Sequence, residues 1–197
     1  MATGISNNSL LVGNPLASVS EIESRLSHLS QTDFEQPHRL DYLPKSKYEC
    51  ITSGSLAPHA LEEAQSVLAK YLLALRPGGK LKITQILMSE FAFAQQVQTM
   101  ASLAPHRTMR TLSSDLIMSG FTNIQTVESM PLSRDILSAC IPHWDLIPEK
   151  EKELTELMLS HGTLVTVEAS KPEFEVGSAA KLSFGKKKTT PVEAPST

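Results

Sequence analysis

The segment 60–86 constrains the fold most, because it joins a helix to a strand with almost no chain between them. Leu61, Ala64, Leu68, Tyr71 or Leu72, and Leu75 recur on one face of a helix over 60–75, while Glu62, Glu63 and Lys70 fall largely elsewhere. Arg76-Pro77-Gly78-Gly79 ends that helix, since proline removes a backbone donor and glycine tolerates positive φ. Lys80-Leu81-Lys82-Ile83-Thr84-Gln85-Ile86 then alternates at period two, which predicts a strand. A helix that feeds straight into a strand belongs to an alternating α/β architecture.

The rest of the chain extends this pattern. The apolar run 9–13 ends at Gly13 and Asn14-Pro15, which reads as a buried strand and a turn. Ser18 and Glu21 have capping-box spacing, and Ile22, Leu26 and Leu29 continue one apolar stripe. Residues 31–38 read as a polar loop, followed by short strands at 38–42 and 48–53. Ser89 caps a helix expected to run to about 102, and a further helix fits 108–119, with Gly120 at its end. Phe121 and 123–127 predict a strand, 149–160 a charged amphipathic helix, and 163–169 a last strand rich in β-branched residues. The composition changes after Pro172. Residues 1–172 are therefore expected to form one domain and 173–197 the start of a flexible linker. Alternating elements imply a mostly parallel sheet with helices on both faces, and the final segments allow an antiparallel hairpin at one edge.

Composition removes several classes. A formal net charge of -3 offers no basic surplus for nucleic acid. No run approaches the roughly 18 apolar residues of a membrane span. The N-terminal MATGISNNSLLVG lacks a basic region and a long apolar run, so no secretory signal is expected. The two cysteines, Cys50 and Cys140, form no CxxC pair, which suits a reducing compartment and a cytoplasmic setting.

Motifs for chemistry are sparse. An α/β fold that binds a nucleotide or an adenosyl group brings backbone close to the ligand at its first strand–helix turn, which requires clustered glycines. Here that turn is Gly13-Asn14-Pro15-Leu16, and no two of the nine glycines have GxG spacing. Asp41 stands where a ribose-binding acid would lie at the end of a second strand, although a lone acid is more commonly a solvated turn residue. There is no GxSxG elbow and no HExxH. Cys140 and His143 have the spacing of half a metal site, yet a structural zinc needs about four ligands, so a half-buried cysteine beside a loop histidine is expected. Trp144 reads as core or as a partner anchor, and Cys50 as inert packing. His28, His38, His59, His106 and His161 read as surface or capping residues. Lys186-Lys187-Lys188 reads as a solvated linker segment or an anion-attracting patch. No catalytic, cofactor-binding or metal-binding residue is assigned.

Four stretches carry a family resemblance. Leu75-Arg76-Pro77-Gly78-Gly79-Lys80-Leu81 and the Ser119-Gly120-Phe121 turn resemble scaffold steps of class I S-adenosylmethionine-dependent methyltransferases. Lys171-Pro172-Glu173-Phe174-Glu175-Val176-Gly177-Ser178, with Leu182 beyond it, resembles the segment that follows the methyltransferase-like domain of the anamorsin family. Tyr48-Glu49-Cys50-Ile51-Thr52-Ser53-Gly54 is similar to that family's strand ending in SG.

The resemblance implies a docking and scaffold domain without catalysis, in a factor for cytosolic iron–sulfur protein assembly. It implies electrons received from an NADPH-dependent diflavin reductase, contact with other assembly proteins, and a possible second location in the mitochondrial intermembrane space. The 2Fe-2S and 4Fe-4S clusters of that family would sit in a cysteine-rich C-terminal region, which these residues do not include. Two alternatives stay open: a methyltransferase with a divergent cofactor turn, and an adaptor that never had a cluster region.

Overall fold

In the computed structural model, residues 8–27, 31–59, 63–93, 107–144 and 148–173 are described. They form one six-stranded sheet with helices on both faces. The strands are β1 Ser9–Val12, β2 Thr32–Glu35, β3 Tyr48–Ser53, β4 Leu75–Met88, β5 Thr122–Pro131 and β6 Gly162–Ser170. The helices are α1 Val19–Ser27, α2 Gln65–Ala74, α3 Met109–Met118, α4 Arg134–Cys140 and α5 Pro148–His161. The strand order is β2-β1-β3-β4-β6-β5. β2, β1, β3 and β4 run parallel, whereas β6 is antiparallel to both β4 and β5. The expected antiparallel edge is therefore present, but as a β6–β5 pair whose connection runs through α4 and α5.

Two apolar cores flank the sheet. Ile51, Leu81, Ile83, Val165 and Val167 face the first core, with Leu68 and Tyr71 of α2 and Leu112 and Leu116 of α3. Ile86, Met88 and Leu164 face the second, with Leu137 and Cys140 of α4 and Leu154 and Met158 of α5. Strand alternation divides the residues between them: 81, 83 and 87 point one way, 80, 82, 84, 86 and 88 the other. On the second face the apolar part covers only the carboxyl half of β4. Toward its start that face carries Lys80, Lys82 and Thr84.

Most predicted elements match. α3 starts with a complete capping box between Thr108 and Thr111, and Gly120 ends it at φ +98°. The expected Ser18 cap is half of a box: Ser18 Oγ accepts from Glu21 N–H at 3.2 Å, but the Glu21 carboxylate accepts from Ala57 N–H instead, at 3.2 Å. Five differences stand out. Residues 32–35, read as loop, form β2, and 38–42, read as a strand, fall in a 3-10 helix, Pro37–Tyr42, with Pro37 at its start. Glu63 and Ala64 precede α2, which begins at Gln65. The Arg76–Gly79 stop is a loop within β4, since Tyr48 pairs with Leu75 and Cys50 with Lys80. Finally, α4 was not anticipated; Ser133 caps it, accepting from Ile136 N–H at 3.3 Å.

The helix predicted after Ser89 begins with helical residues 90–93. Its remainder, the stripe residue Leu29, the helix start at 60–62, and the linker 174–197 with Lys186–Lys188 lie outside the described residues, as do His28 and His106.

Candidate functional site

The first strand–helix turn sits at the carboxyl end of the parallel strands, where open α/β sheets take their ligands. Here the turn is closed by its own chain. Gly13 N–H donates to Glu35 O at 3.2 Å, and Ala17 N–H to Asn14 O at 2.9 Å. The buried Asn14 side chain accepts from Leu16 N–H at 3.0 Å. Side chains fill the space above Gly13. A Cβ there would lie 2.7 Å from Phe34 Cε2 and 2.8 Å from Leu56 Cδ1. Glycine at 13 thus makes room for two of the protein's own apolar side chains.

The acid at the end of the second strand is not Asp41. Asp41 is exposed on the 3-10 helix and pairs with Lys70 at 2.8 Å. Glu35 ends β2 instead, and Arg39 engages its carboxylate at 3.4 Å. The sequence reading missed Glu35 because it placed the second strand six residues too late.

Beneath the ends of β3 and β4, on the first-core face, lies a buried polar cluster. Ser53 Oγ donates to the Glu63 carboxylate, as does Tyr71 OH at 2.9 Å, and the two hydroxyl oxygens are 3.1 Å apart. Arg107 Nη1 donates to Glu63 O at 2.9 Å and to Gln85 Oε1 at 3.3 Å. Its Nη2 pairs with Asp115. Burial pushes the Glu63 carboxyl above its ordinary value, against the hydrogen bonds from Ser53 and Tyr71 and the charge of Arg107. Burial, reinforced by the Glu63 charge, raises the Tyr71 phenol well above its own.

This arrangement resembles a clamp more than a reaction centre. Glu63 is 3% exposed, and Ser53 and Tyr71 are fully buried. Arg107 ties the segment entering α2 to β4 and to α3. A signal for it existed in the sequence: Ser53 shares the inward face of β3 with Ile51, and a polar residue at an inward strand position calls for partners.

The cysteines do not form a ligand set. Cys140 is fully buried in the second core, not half-buried beside a loop, and burial pushes its thiol up to about 11. Cys50 is half-buried on β3. Among the described residues no group of three or more His, Cys, Asp or Glu side chains is placed to hold a metal ion. Iron–sulfur clusters are typically held by four cysteine thiolates, and the described residues offer Cys50 and Cys140 in separate places, which does not fit a cluster. Trp144 packs on the second core. The described histidines are half-buried or exposed: His59 lies in the loop after β3, and His38, His143 and His161 lie in 3-10 or α-helical segments.

A mixed sheet in this order, mostly parallel, with helices on both faces and an antiparallel edge pair, defines an α/β domain of the class I methyltransferase type, here with its first turn filled from within. Solved structures agree on the fold. The YcgJ protein from Bacillus subtilis matches with a TM-score of 0.54 and 11% identity, over 85% of this chain and 93% of that one. A phosphoethanolamine N-methyltransferase 2 from Haemonchus contortus, solved with S-adenosyl-L-methionine, matches with a TM-score of 0.50 and 12% identity, over 84% of this chain and 49% of that one. At such identities the likeness concerns the fold alone.

Sequence comparison narrows the class. The family model described as "Anamorsin, N-terminal" matches residues 14–179. An anamorsin homolog from Monosiga brevicollis is 30% identical over 197 residues, covering 94% of this chain and 52% of its own length. One from Branchiostoma floridae is 29% identical over 147 residues, covering 73% of this chain and 40% of its own. The chain belongs to the anamorsin family, and it spans about half the length, or less, of these curated relatives.

Proposed function

We propose that this domain is a non-catalytic docking and scaffold module of a factor for cytosolic iron–sulfur protein assembly. In this reading, folded-domain surface engages an NADPH-dependent diflavin reductase and other assembly proteins. The clusters belong to a cysteine-rich region outside these residues. Tethering that region to a docked domain raises its effective concentration near the electron donor without new contacts at the cluster itself. Family membership supports the assembly role.

One observation carries the non-catalytic part: Phe34 and Leu56 occupy the space against Gly13 that an adenosyl group needs. Closure of the turn by Asn14 supports it further. Calorimetric titration with S-adenosylmethionine is the test. The expected result is no binding heat up to millimolar ligand, whereas saturable micromolar binding would establish the alternative, a methyltransferase with a divergent turn. The docking part is tested by mixing the domain with the reductase on a size-exclusion column. Co-elution is expected, and separate elution at concentrations of tens of micromolar would refute it.

A further inference from the structure

The second face of the sheet holds a cleft of about 460 Å³. Thr52 of β3, Lys82 and Thr84 of β4, and Thr166 of β6 line one part of it from the strands, and the apolar Leu164 of β6, Val127 and Met130 of β5 and Ile136 of α4 line another. Arg25 of α1 and Ser55 and His59 of the loop after β3 line it from above. Strands of a parallel sheet ordinarily read as apolar on both faces, because helices cover both. These strand positions are instead hydroxylated or basic, although their neighbours Ile51, Leu81 and Ile83 on the opposite face are fully apolar. Lys82 is 41% exposed there, so its ammonium reaches the open cleft.

The lining has a direction. Thr52 pairs with Lys82 in register, which puts the Lys82 ammonium at the β3–β4 side. Glu128 lines the same cleft from β5, three strands from β3, or about 14 Å at ordinary strand spacing. The basic groups keep donor capacity. Lys80 lies 2.8 Å from Glu168 Oε1, while Lys82 stands 3.5 Å from Oε2, and an ammonium carries three donors. His59 Nδ1 is 2.8 Å from Gly54 O. That bond assigns the hydrogen to Nδ1 and leaves Nε2 as the ring's second polar atom. Thr84 and Thr166 share a hydrogen bond at 3.0 Å, and each hydroxyl oxygen retains further lone-pair capacity.

We propose that this cleft binds an oxyanion-bearing small molecule, a carboxylate or a phosphate. Arg25 and Lys82 neutralise its charge, and Thr52, Ser55 and Thr166 supply hydrogen bonds. The guanidinium fork suits either oxyanion, and the volume lies within the roughly 300–1,000 Å³ of small-molecule sites. The site is separate from the filled first turn and independent of the docking role.

The test is a ¹H–¹⁵N correlation titration of the intact chain with inorganic phosphate and, separately, with glutarate, at constant ionic strength. Saturable shifts are expected at the cleft residues, weakened at least tenfold in the R25Q/K82Q double variant with an unchanged melting temperature. Saturation by phosphate alone assigns a phosphate ligand, and by glutarate alone a carboxylate; either supports the site. Linear shifts with both anions, or saturable shifts that persist in the double variant, overturn it.

Discussion

Three glycines allow the two costs of adding a side chain to be separated. Gly54 has φ +71°, and a Cβ there would lie 2.1 Å from Thr84 O, short of ordinary contact by about 1.3 Å. That oxygen belongs to the neighbouring strand, so β3 and β4 must part where the chain leaves β3. Gly54→Ala combines a positive-φ cost of about 1 kcal/mol with an overpacking cost of about 1–3 kcal/mol, giving about 2–4 kcal/mol. At about 3 °C per kcal/mol for a domain of this size, the melting temperature falls by about 6–12 °C. Gly78 has φ +74°, but its Cβ would meet nothing nearer than Glu173 Cγ at 3.6 Å. Gly78→Ala isolates the φ cost, about 1 kcal/mol or about 3 °C. Gly79 lacks positive φ, yet its Cβ would lie 2.8 Å from Arg76 O and 3.2 Å from Glu49 O. Gly79→Ala isolates crowding, about 1–2 kcal/mol. Thermal unfolding followed by circular dichroism, with urea titration at 25 °C, measures all three. If Gly54→Ala and Gly78→Ala melt within a degree of each other, the close approach of Gly54 to Thr84 is wrong.

Further outcomes concern the buried groups. Glu63 has a raised pKa in the fold, so the native state holds its proton more tightly than the unfolded chain, and stability falls as pH rises from about 4.5 through the folded value. Glu63→Gln removes that loss, so its stability relative to the parent should be more favourable at pH 7.5 than at pH 4.5 in urea titrations; a constant difference across that range would refute the assignment. Glu168 behaves oppositely. Its hydrogen bond to Lys80 lowers its pKa, so its contribution is full above about 4.5 and is lost as pH falls through the lower folded value; Glu168→Gln should flatten the acid limb of the stability profile, and an unchanged limb counts against the ion pair. Arg107→Ala leaves the Glu63 carbonyl, Gln85 and Asp115 without their shared donor and should cost about 3–5 kcal/mol by urea unfolding; a cost under about 1 kcal/mol would show that the clamp is not holding. With a thiol-reactive dye, the native protein should show slow labelling of Cys140 and faster labelling of Cys50, becoming equally fast in urea; rapid native labelling of Cys140 would contradict its burial.

What the sequence discloses depends on how far each signal reaches along the chain. Strong local periodicity placed β1, β3, α3 and β6, and the Arg76–Gly79 stop was visible because proline and glycine act within a few residues. β2 was not visible. Thr32-Asp33-Phe34-Glu35 has one large apolar residue, and it is a strand because Ser9 to Val12 pair with it in parallel register, a tertiary requirement that overrides weak propensity. Missing β2 carried a second error with it, since the acid at the end of the second strand then fell on Asp41 instead of Glu35. The early start assigned to α2 hid the clamp in the same way. Glu63, placed on a solvated helix face, lies ahead of the helix and is buried, and Arg107, which holds its carbonyl and pairs with Asp115, comes more than 40 positions later. No window of sequence joins groups so far apart.

The filled turn also bears on the stability of the domain. In a ligand-binding α/β fold, the first turn keeps its backbone N–H groups and the space above them open, and bound ligand satisfies both. Here the N–H groups of Gly13, Leu16 and Ala17 are used internally, by Glu35 O, Asn14 Oδ1 and Asn14 O respectively. Leu56, 1% exposed, turns the same space into packing surface. A fully buried leucine contributes about 1.5–3 kcal/mol relative to an exposed one, so what would be a ligand's position adds to stability. The loop that delivers Leu56 starts at Gly54, which packs against Thr84 O of β4, and is held to α1 through Glu21 and Ala57 N–H. Closing the turn therefore fixes the loop, and the loop in turn carries Ser55 and His59 to the cleft on the second face. The physical consequence is that reopening the first turn cannot be a local change: any substitution that frees space above Gly13 by moving Leu56 must also disturb the β3–β4 contact at Gly54 and the residues lining that cleft.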